Sequence, residues 1–235
     1  MTTIVEALTR IAIQCRVKAP SSWVTATRED HVSLRDVFLG EAVDDILERV
    51  DLPSPIGAQY TLPGDGSETY DLPSAFKRLH RSALAVYDPL LDVACVPLTT
   101  DGDWTYQKDM GTAGTIRYYR LGGYDGNWTI SFYDAPDDSI EVHYQTENWM
   151  ATAGGVAGSM FTAEDDVLLL PRRLVETGTV WRFRQDKGLP YEDKRMEYEV
   201  LMARMSNDRR SRRIISDNQS NVRWQDLIPA FIPSS

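Results

Sequence analysis

A chain of 235 residues has enough sequence for one domain or two small ones, and its apolar, charged and aromatic fractions are those of an ordinary globular protein. Its formal charge of −10 argues against a general nucleic-acid binder held by phosphate contacts. Cys15 and Cys95 are too few for a disulfide framework, and neither has a Cys or His nearby at metal-ligand spacing.

Charged residues Glu6, Arg10, Arg16 and Lys18 interrupt the first stretch, so it does not read as a cleaved signal peptide. No apolar run approaches the length of a membrane span, and the expectation is a soluble, unprocessed chain with no membrane partner. Thr3 and Glu6 form a capping-box pattern, followed by Ile4, Leu8, Ile11 and Cys15 at helical spacing. This predicts a first helix ended by Pro20. A polar linker through Ser21, Ser22, Thr25 and Thr27 leads to Ser33 and Asp36, a looser start signal. Leu39, Val43, Ile46 and Val50 then predict a second helix that stops before Pro53 and Pro55.

From Gln59 the pattern changes to alternation. Tyr60 and Leu62, then Tyr70 and Leu72, flank Pro63-Gly64-Asp65-Gly66 and predict a hairpin. Further strands are expected over 79–87, 116–119, 128–133 and 140–144, separated by Gly, Asp and Pro clusters. Residues 59–147 therefore read as a small antiparallel β-domain with one face inward. Residues 148–159 are small and glycine-rich and read as a flexible loop.

The stretch from Phe161 to Met205 then predicts two helices. Pro171 suits the first turn of a helix, where a missing N–H costs nothing, and Glu164, Asp165 and Asp166 place negative charge before it. Leu174, Gly178 and Trp181 share a face, with small Thr177 and Gly178 allowing close approach of another helix. Gly188 and Pro190 break the pattern, and Tyr198, Leu201, Met202 and Met205 return at helical spacing. The fold class read from these elements is α+β. The expected architecture is a helical bundle of residues 1–58 and 160–206, with two long C-terminal helices, the inserted β-domain, and an extended tail over 207–235.

That tail has its own chemistry. Residues 204–223 hold six Arg against Asp208 and Asp217, a local +4 that leaves −14 on the rest of the chain. Arg209, Arg210, Arg212 and Arg213 precede Ile214, Ile215, Trp224, Leu227, Ile228 and Phe231. Basic residues that set register, followed by apolar anchors, read as a segment that orders on a partner surface.

Elsewhere no catalytic constellation emerges. His31, His80 and His143 sit in no ligand or triad motif, and Asp101/Asp103 and Asp137/Asp138 do not continue into a Ca²⁺ loop and read as turn residues. The glycines at 154, 155 and 158 lack the following Lys-Ser/Thr of a phosphate loop. Nothing here points to a metal, a cofactor or an enzyme.

The order of parts resembles the head-to-tail adaptor proteins of tailed bacteriophages, of the tail-tubular or gatekeeper type. The likeness runs roughly from Leu34 to Met205. It rests on the early helix with Glu41-Ala42 and Ile46-Leu47, on Tyr70-Asp71-Leu72-Pro73-Ser74-Ala75-Phe76-Lys77-Arg78-Leu79, on the Tyr118 to Trp128 region, on Ala135-Pro136 and the strand end at Tyr144, and on Asp165 through Leu170-Pro171. Ala75 stands where the family run has an acidic residue, and the 148–159 loop is longer and richer in glycine. The resemblance implies a homo-oligomeric ring of twelve copies beneath a portal protein, a virion location at the head–tail junction after assembly in the host cytoplasm, and a tail tube or nozzle as the second partner. It implies that genomic DNA only passes through the channel, whose acidic wall would repel phosphates. Portal docking then falls to the tail, and Trp104, Tyr106, Tyr124 and Trp128 to the tail-facing loops of the β-domain. The same four aromatics support an alternative, a carbohydrate- or receptor-binding tail module.

Overall fold

The computed structural model describes residues 2–110, 116–124 and 126–214, with side chains as far as Ser206. The fold is α+β. Helix α1 (Ile4–Gln14) starts with both bonds of the capping box, Glu6 N–H to Thr3 Oγ1 at 3.2 Å and Thr3 N–H to Glu6 Oε2 at 3.3 Å. It buries Ile4, Ala7, Leu8, Ile11 and Ala12 on one face. It ends well before Pro20, because Arg16 adopts a left-handed conformation (φ 59°) and Val17 N–H closes back on the Ala12 carbonyl at 2.9 Å.

The following linker is not simply polar. Trp23 is buried, with Nε1 donating to Thr9 at 3.1 Å, and Arg35 holds the Trp23 and Val24 carbonyls at 2.7 and 2.9 Å. The second helical stretch begins earlier than Ser33. It runs through α2 (Glu29–Val32), a π-helical segment (Ser33–Phe38) and α3 (Leu39–Arg49). The Ser33–Asp36 signal lies within this stretch, where the preceding residues are already helical.

Strands β1 (Gly57–Leu62), β2 (Thr69–Asp71), β3 (Phe76–Leu79), β4 (Val86–Asp88), β5 (Val93–Ala94) and β6 (Val96–Pro97) follow. Helix α4 (Asp101–Met110) then precedes β7 (Tyr118–Tyr124), β8 (Asn127–Phe132) and β9 (Ile140–Thr146). One sheet has the order β1-β9-β4-β5 with β3 also on β9, and the other has the order β2-β8-β7-β6. The expected hairpin between β1 and β2 does not form: Tyr60 faces Val142 in β9, and Tyr70 faces Ile130 in β8. The intervening turn packs on a distant segment instead of closing on itself. Gly64 (φ +57°) leaves only 2.0 Å between an added Cβ and the Asp138 carbonyl, and Gly66 N–H donates to the Pro136 carbonyl at 3.0 Å.

Three other expectations change. The 79–87 strand is broken by a turn in which Ala85 N–H bonds the Ser82 carbonyl, because Arg78 and Arg81 are drawn to the end of α3. Asp101 and Asp103 open a helix, capped by Thr100, whose Oγ1 accepts Asp103 N–H at 3.0 Å. The 148–159 stretch forms β10 (Met150–Ala151) and β11 (Ala157–Gly158), joined by β12 (Val167–Leu168) in a three-stranded sheet. Its small residues make the turn, while Trp149 and Met150 are buried and Trp149 Nε1 donates to the Ser159 carbonyl at 2.7 Å.

Helices α5 (Arg172–Asp186) and α6 (Glu192–Ile214) complete the described chain. Pro171 is the N-cap of α5, and the first turn holds no acidic residue. Two of the acidic trio work elsewhere: Asp166 accepts the Thr162 and Ala163 amides at 2.9 and 2.8 Å, and Glu164 accepts Ser22 Oγ and Val24 N–H. The intervening β12 is what separates them from α5.

Most of the buried apolar side chains fall into two clusters. One gathers Leu8, Ile11, Leu39, Ile46, Leu174, Val180, Phe183 and Tyr198 from the helices with Met150 and Leu168 from the small sheet. The other draws Leu62, Val86, Ile140 and Val142 from the first sheet and Tyr70, Tyr119, Ile130 and Phe132 from the second.

Arg78 ties the two regions. Its Nε donates to the Leu47 carbonyl at 2.8 Å, Nη2 to the Val50 carbonyl at 3.0 Å and Nη1 to Asp51 at 2.7 Å. A planar cation thus satisfies the orphan carbonyls at a helix C-terminus, where positive charge is favoured. Arg78→Ala is expected to cost roughly 2–3 kcal/mol in urea unfolding, since it leaves partly buried carbonyls unpaired. Arg78→Lys recovers less than half, because an ammonium cannot reproduce the fork.

Candidate functional site

The junction of α3, α5 and α6 carries the residues that aim the end of the described chain. Leu174, Val175, Gly178, Thr179, Val180 and Phe183 of α5 are buried among α1, the π-segment, α3 and α6. Thr177 and Thr179 tolerate that environment because their hydroxyls donate to the Arg173 and Val175 carbonyls at 2.6 and 2.9 Å. At Gly178 both α6 and α3 approach α5 closely: an added Cβ would sit 2.8 Å from Tyr198 Cε2 and 3.1 Å from Ala42 Cβ.

Around that contact a polar network locks the three helices. Tyr198 donates to Asp45 Oδ2 at 2.8 Å, and Arg182 donates to the same oxygen at 3.0 Å and to the Gly178 carbonyl at 3.0 Å. The Arg182 guanidinium lies 4.4 Å over the Trp181 ring and 5.4 Å from that of Tyr198. Burial first, then the hydrogen bond and charge of Asp45, push the Tyr198 phenol well above its ordinary value. Arg49 forks onto Glu199 at 3.1 and 2.5 Å, and this hydrogen bonding holds the Glu199 carboxyl below the usual range. Leu201 and Met205 are partly buried against the same core, so packing and charge together set the direction of α6.

Helix α6 runs on past Met205 to Ile214, so the chain is helical where the extended tail was expected to begin at 207. Arg209, Arg210, Arg212, Arg213 and Ile214 lie within its span. Ile215, Trp224, Leu227, Ile228 and Phe231 lie outside the described residues.

The four aromatics expected on β-domain loops separate into two pairs. Trp104 belongs to α4, is only 8% exposed and lies under Arg120, whose guanidinium is 4.5 Å from the ring. Trp128 is in β8 and packs against Phe76 at 5.8 Å. Tyr106 of α4 and Tyr124 at the end of β7 are 59% and 72% exposed. Sequence alternation alone did not distinguish these pairs; the Thr100–Asp103 start signal would have placed Trp104 and Tyr106 on a helix.

Among the described residues no group of three or more His, Cys, Asp or Glu is arranged to hold a metal ion. Cys15 and Cys95 are both buried, and burial pushes each thiol up to about 12, far from the thiolate that nucleophilic chemistry needs. His31 is buried against the Lys18 carbonyl at 2.8 Å. His80 and His143, distant in sequence, come together with ring centroids 6.3 Å apart. A groove of about 350 Å³ opens between the π-segment and the small sheet, lined by Arg35, Val43, Lys77, Trp149, Met160 and Phe161. Its cations are already paired, Arg35 with Asp36 and Lys77 with Asp44.

The residues that sequence reading missed are Asp45, Arg49, Arg182 and Glu199. As a local pattern each is an ordinary charged helix residue. No helix among the described residues is long and apolar enough to cross a membrane. Compared with models of known protein families and with curated protein sequences, the chain matches none.

Proposed function

We propose that the protein is a non-catalytic structural connector, a head-to-tail adaptor that assembles as a ring of copies, twelve on the family pattern, between a phage portal and its tail. In this reading α1, α3, α5 and α6 serve as a helical bundle, residues 59–147 as an inserted β-domain facing the tail tube or nozzle, and residues 207–235, beginning with the basic run, as the portal-docking tail. The observation that carries it is the junction of α3, α5 and α6. A helix locked through Tyr198–Asp45 and Arg49–Glu199 continues without a break into the basic run Arg209–Arg213.

Charge supports the same division of labour. The chain as a whole carries −10 while residues 204–223 carry +4, so a ring of copies would repel passing DNA and keep its cations for a protein partner. The virion is its place of action and the host cytoplasm its place of assembly. Removing residues 207–235 is expected to abolish binding to isolated portal, measured by co-sedimentation, while leaving the fold's thermal transition in place. Unchanged portal binding by the truncated chain would overturn the proposal.

A further inference from the structure

The end of α3 is held to the sheet by one fully buried amide. Gln145 Oε1 accepts the Leu52 N–H and Gln145 Nε2 donates to the Leu52 carbonyl, both at 3.0 Å. These two bonds fix which end of the amide is which, since a flip would set oxygen against oxygen and N–H against N–H. The second hydrogen of Nε2 therefore points to His80 Nε2, 2.6 Å away. That imidazole nitrogen must carry a lone pair. A neutral imidazole carries one proton, so with Nε2 accepting from Gln145 that proton sits on Nδ1.

There is no slack around this arrangement. Gly57 faces it, and a Cβ there would lie 2.1 Å from the Leu52 carbonyl oxygen and 3.2 Å from both the Gln145 and His80 nitrogens. Protonating His80 would place two N–H donors head to head, and Gln145 cannot turn away without abandoning Leu52 in a buried site.

We propose that His80, Gln145 and Leu52 form a proton-operated latch between the end of α3 and the sheet, closed while His80 is neutral and released when the imidazole takes a second proton. The charged groups facing it are Asp51 from the end of α3, which favours the proton, and Arg78 of β3 and His143 of β9, which oppose it. Glu141 lies 3.7 Å from His143, and Arg81 N–H holds Asp51 at 3.0 Å. Burial is the largest influence and lowers the His80 value from 6.5. The opened state thus binds the proton more readily than the closed one. Latch stability is complete above 6.5, falls as pH drops through the window down to the lowered native value, and is level below it. This device stands whether or not the chain is an adaptor.

Hydrogen exchange of the Leu52 amide in the full chain, corrected for intrinsic rate, tests it between pH 7.5 and 5, with imidazole nitrogen shifts read on the same samples. The opening constant at Leu52 is expected to rise by up to about tenfold per pH unit within the window, with His80 as the Nδ1–H tautomer at pH 7.5. His80→Gln can still accept from Gln145 but cannot titrate, and it should make Leu52 protection independent of pH. His143→Gln, which removes an opposing neighbour, should keep the response and move its midpoint upward. A flat Leu52 profile in the wild type, an unchanged acid response in His80→Gln, or a response lost in His143→Gln would each overturn the latch.

Discussion

Gly178→Val is expected to lower stability by roughly 2–3 kcal/mol, the cost of forcing extra volume into a packed helix contact. Even the first added carbon meets Tyr198 Cε2 at 2.8 Å and Ala42 Cβ at 3.1 Å. The tyrosine ring cannot swing aside freely, because its hydroxyl is tethered to Asp45 and Arg182 lies against its face. Gly178→Ala should be milder, since alanine gains about 1 kcal/mol of helix propensity against a smaller clash. Urea unfolding distinguishes the two, and pairing Gly178→Val with Tyr198→Leu tests the cause: a loss left undiminished by the smaller partner would show that the clash lies elsewhere. Because the same contact sets the direction of α6, the proposed connector should lose portal affinity in Gly178→Val at temperatures where the fold is still intact.

Arg117→Ala is expected to be the costliest single change outside the helices, at roughly 3–5 kcal/mol, because it strands a buried carboxylate without its cation. Asp88 is fully buried, its Oδ2 paired with Arg117 Nε and its Oδ1 taking the Leu90 and Leu91 amides at 3.0 Å each. That one side chain therefore holds the β4–β5 turn and the strand pair on either side of it. Adding Asp88→Asn to Arg117→Ala removes the uncompensated charge and should restore part of the loss in a thermal melt. A single Arg117→Ala variant within 1 kcal/mol of the wild type would mean that Asp88 has another way to be neutralised.

The helices at both ends of the chain are legible because their instructions are local. Thr3 and Glu6 lie one turn apart and cap α1, and Leu174, Gly178 and Tyr198 mark core faces by helical spacing alone. Gly178 as a point of close approach is also legible, since a glycine on an apolar helix face has few other uses. The strands themselves are mostly legible, whereas their partners are not. β1 and β2 flank a turn sequence that suits a hairpin, yet each pairs with a strand some sixty or more positions away, because the turn is held by Pro136 and Asp138. Alternation specifies a face and leaves the neighbour to be chosen by packing.

The candidate site shows the same division. The basic run Arg209–Arg213 is plain in the composition, while the network that supports its helix joins Asp45 to Arg182 and Tyr198 across 137 and 153 positions. By itself the sequence determined the mixed α+β class, the amphipathic helices and the concentration of positive charge near the C-terminus, all of which depend on the spacing of neighbouring residues. The tertiary structure decided which strands share a sheet, that Trp104 and Trp128 are packed while Tyr106 and Tyr124 are exposed, and that His80 meets the Gln145 amide where it holds Leu52. Those outcomes rest on contacts whose two halves lie far apart in the chain, and they exist only once burial removes water and leaves each polar group to find its partner inside the fold.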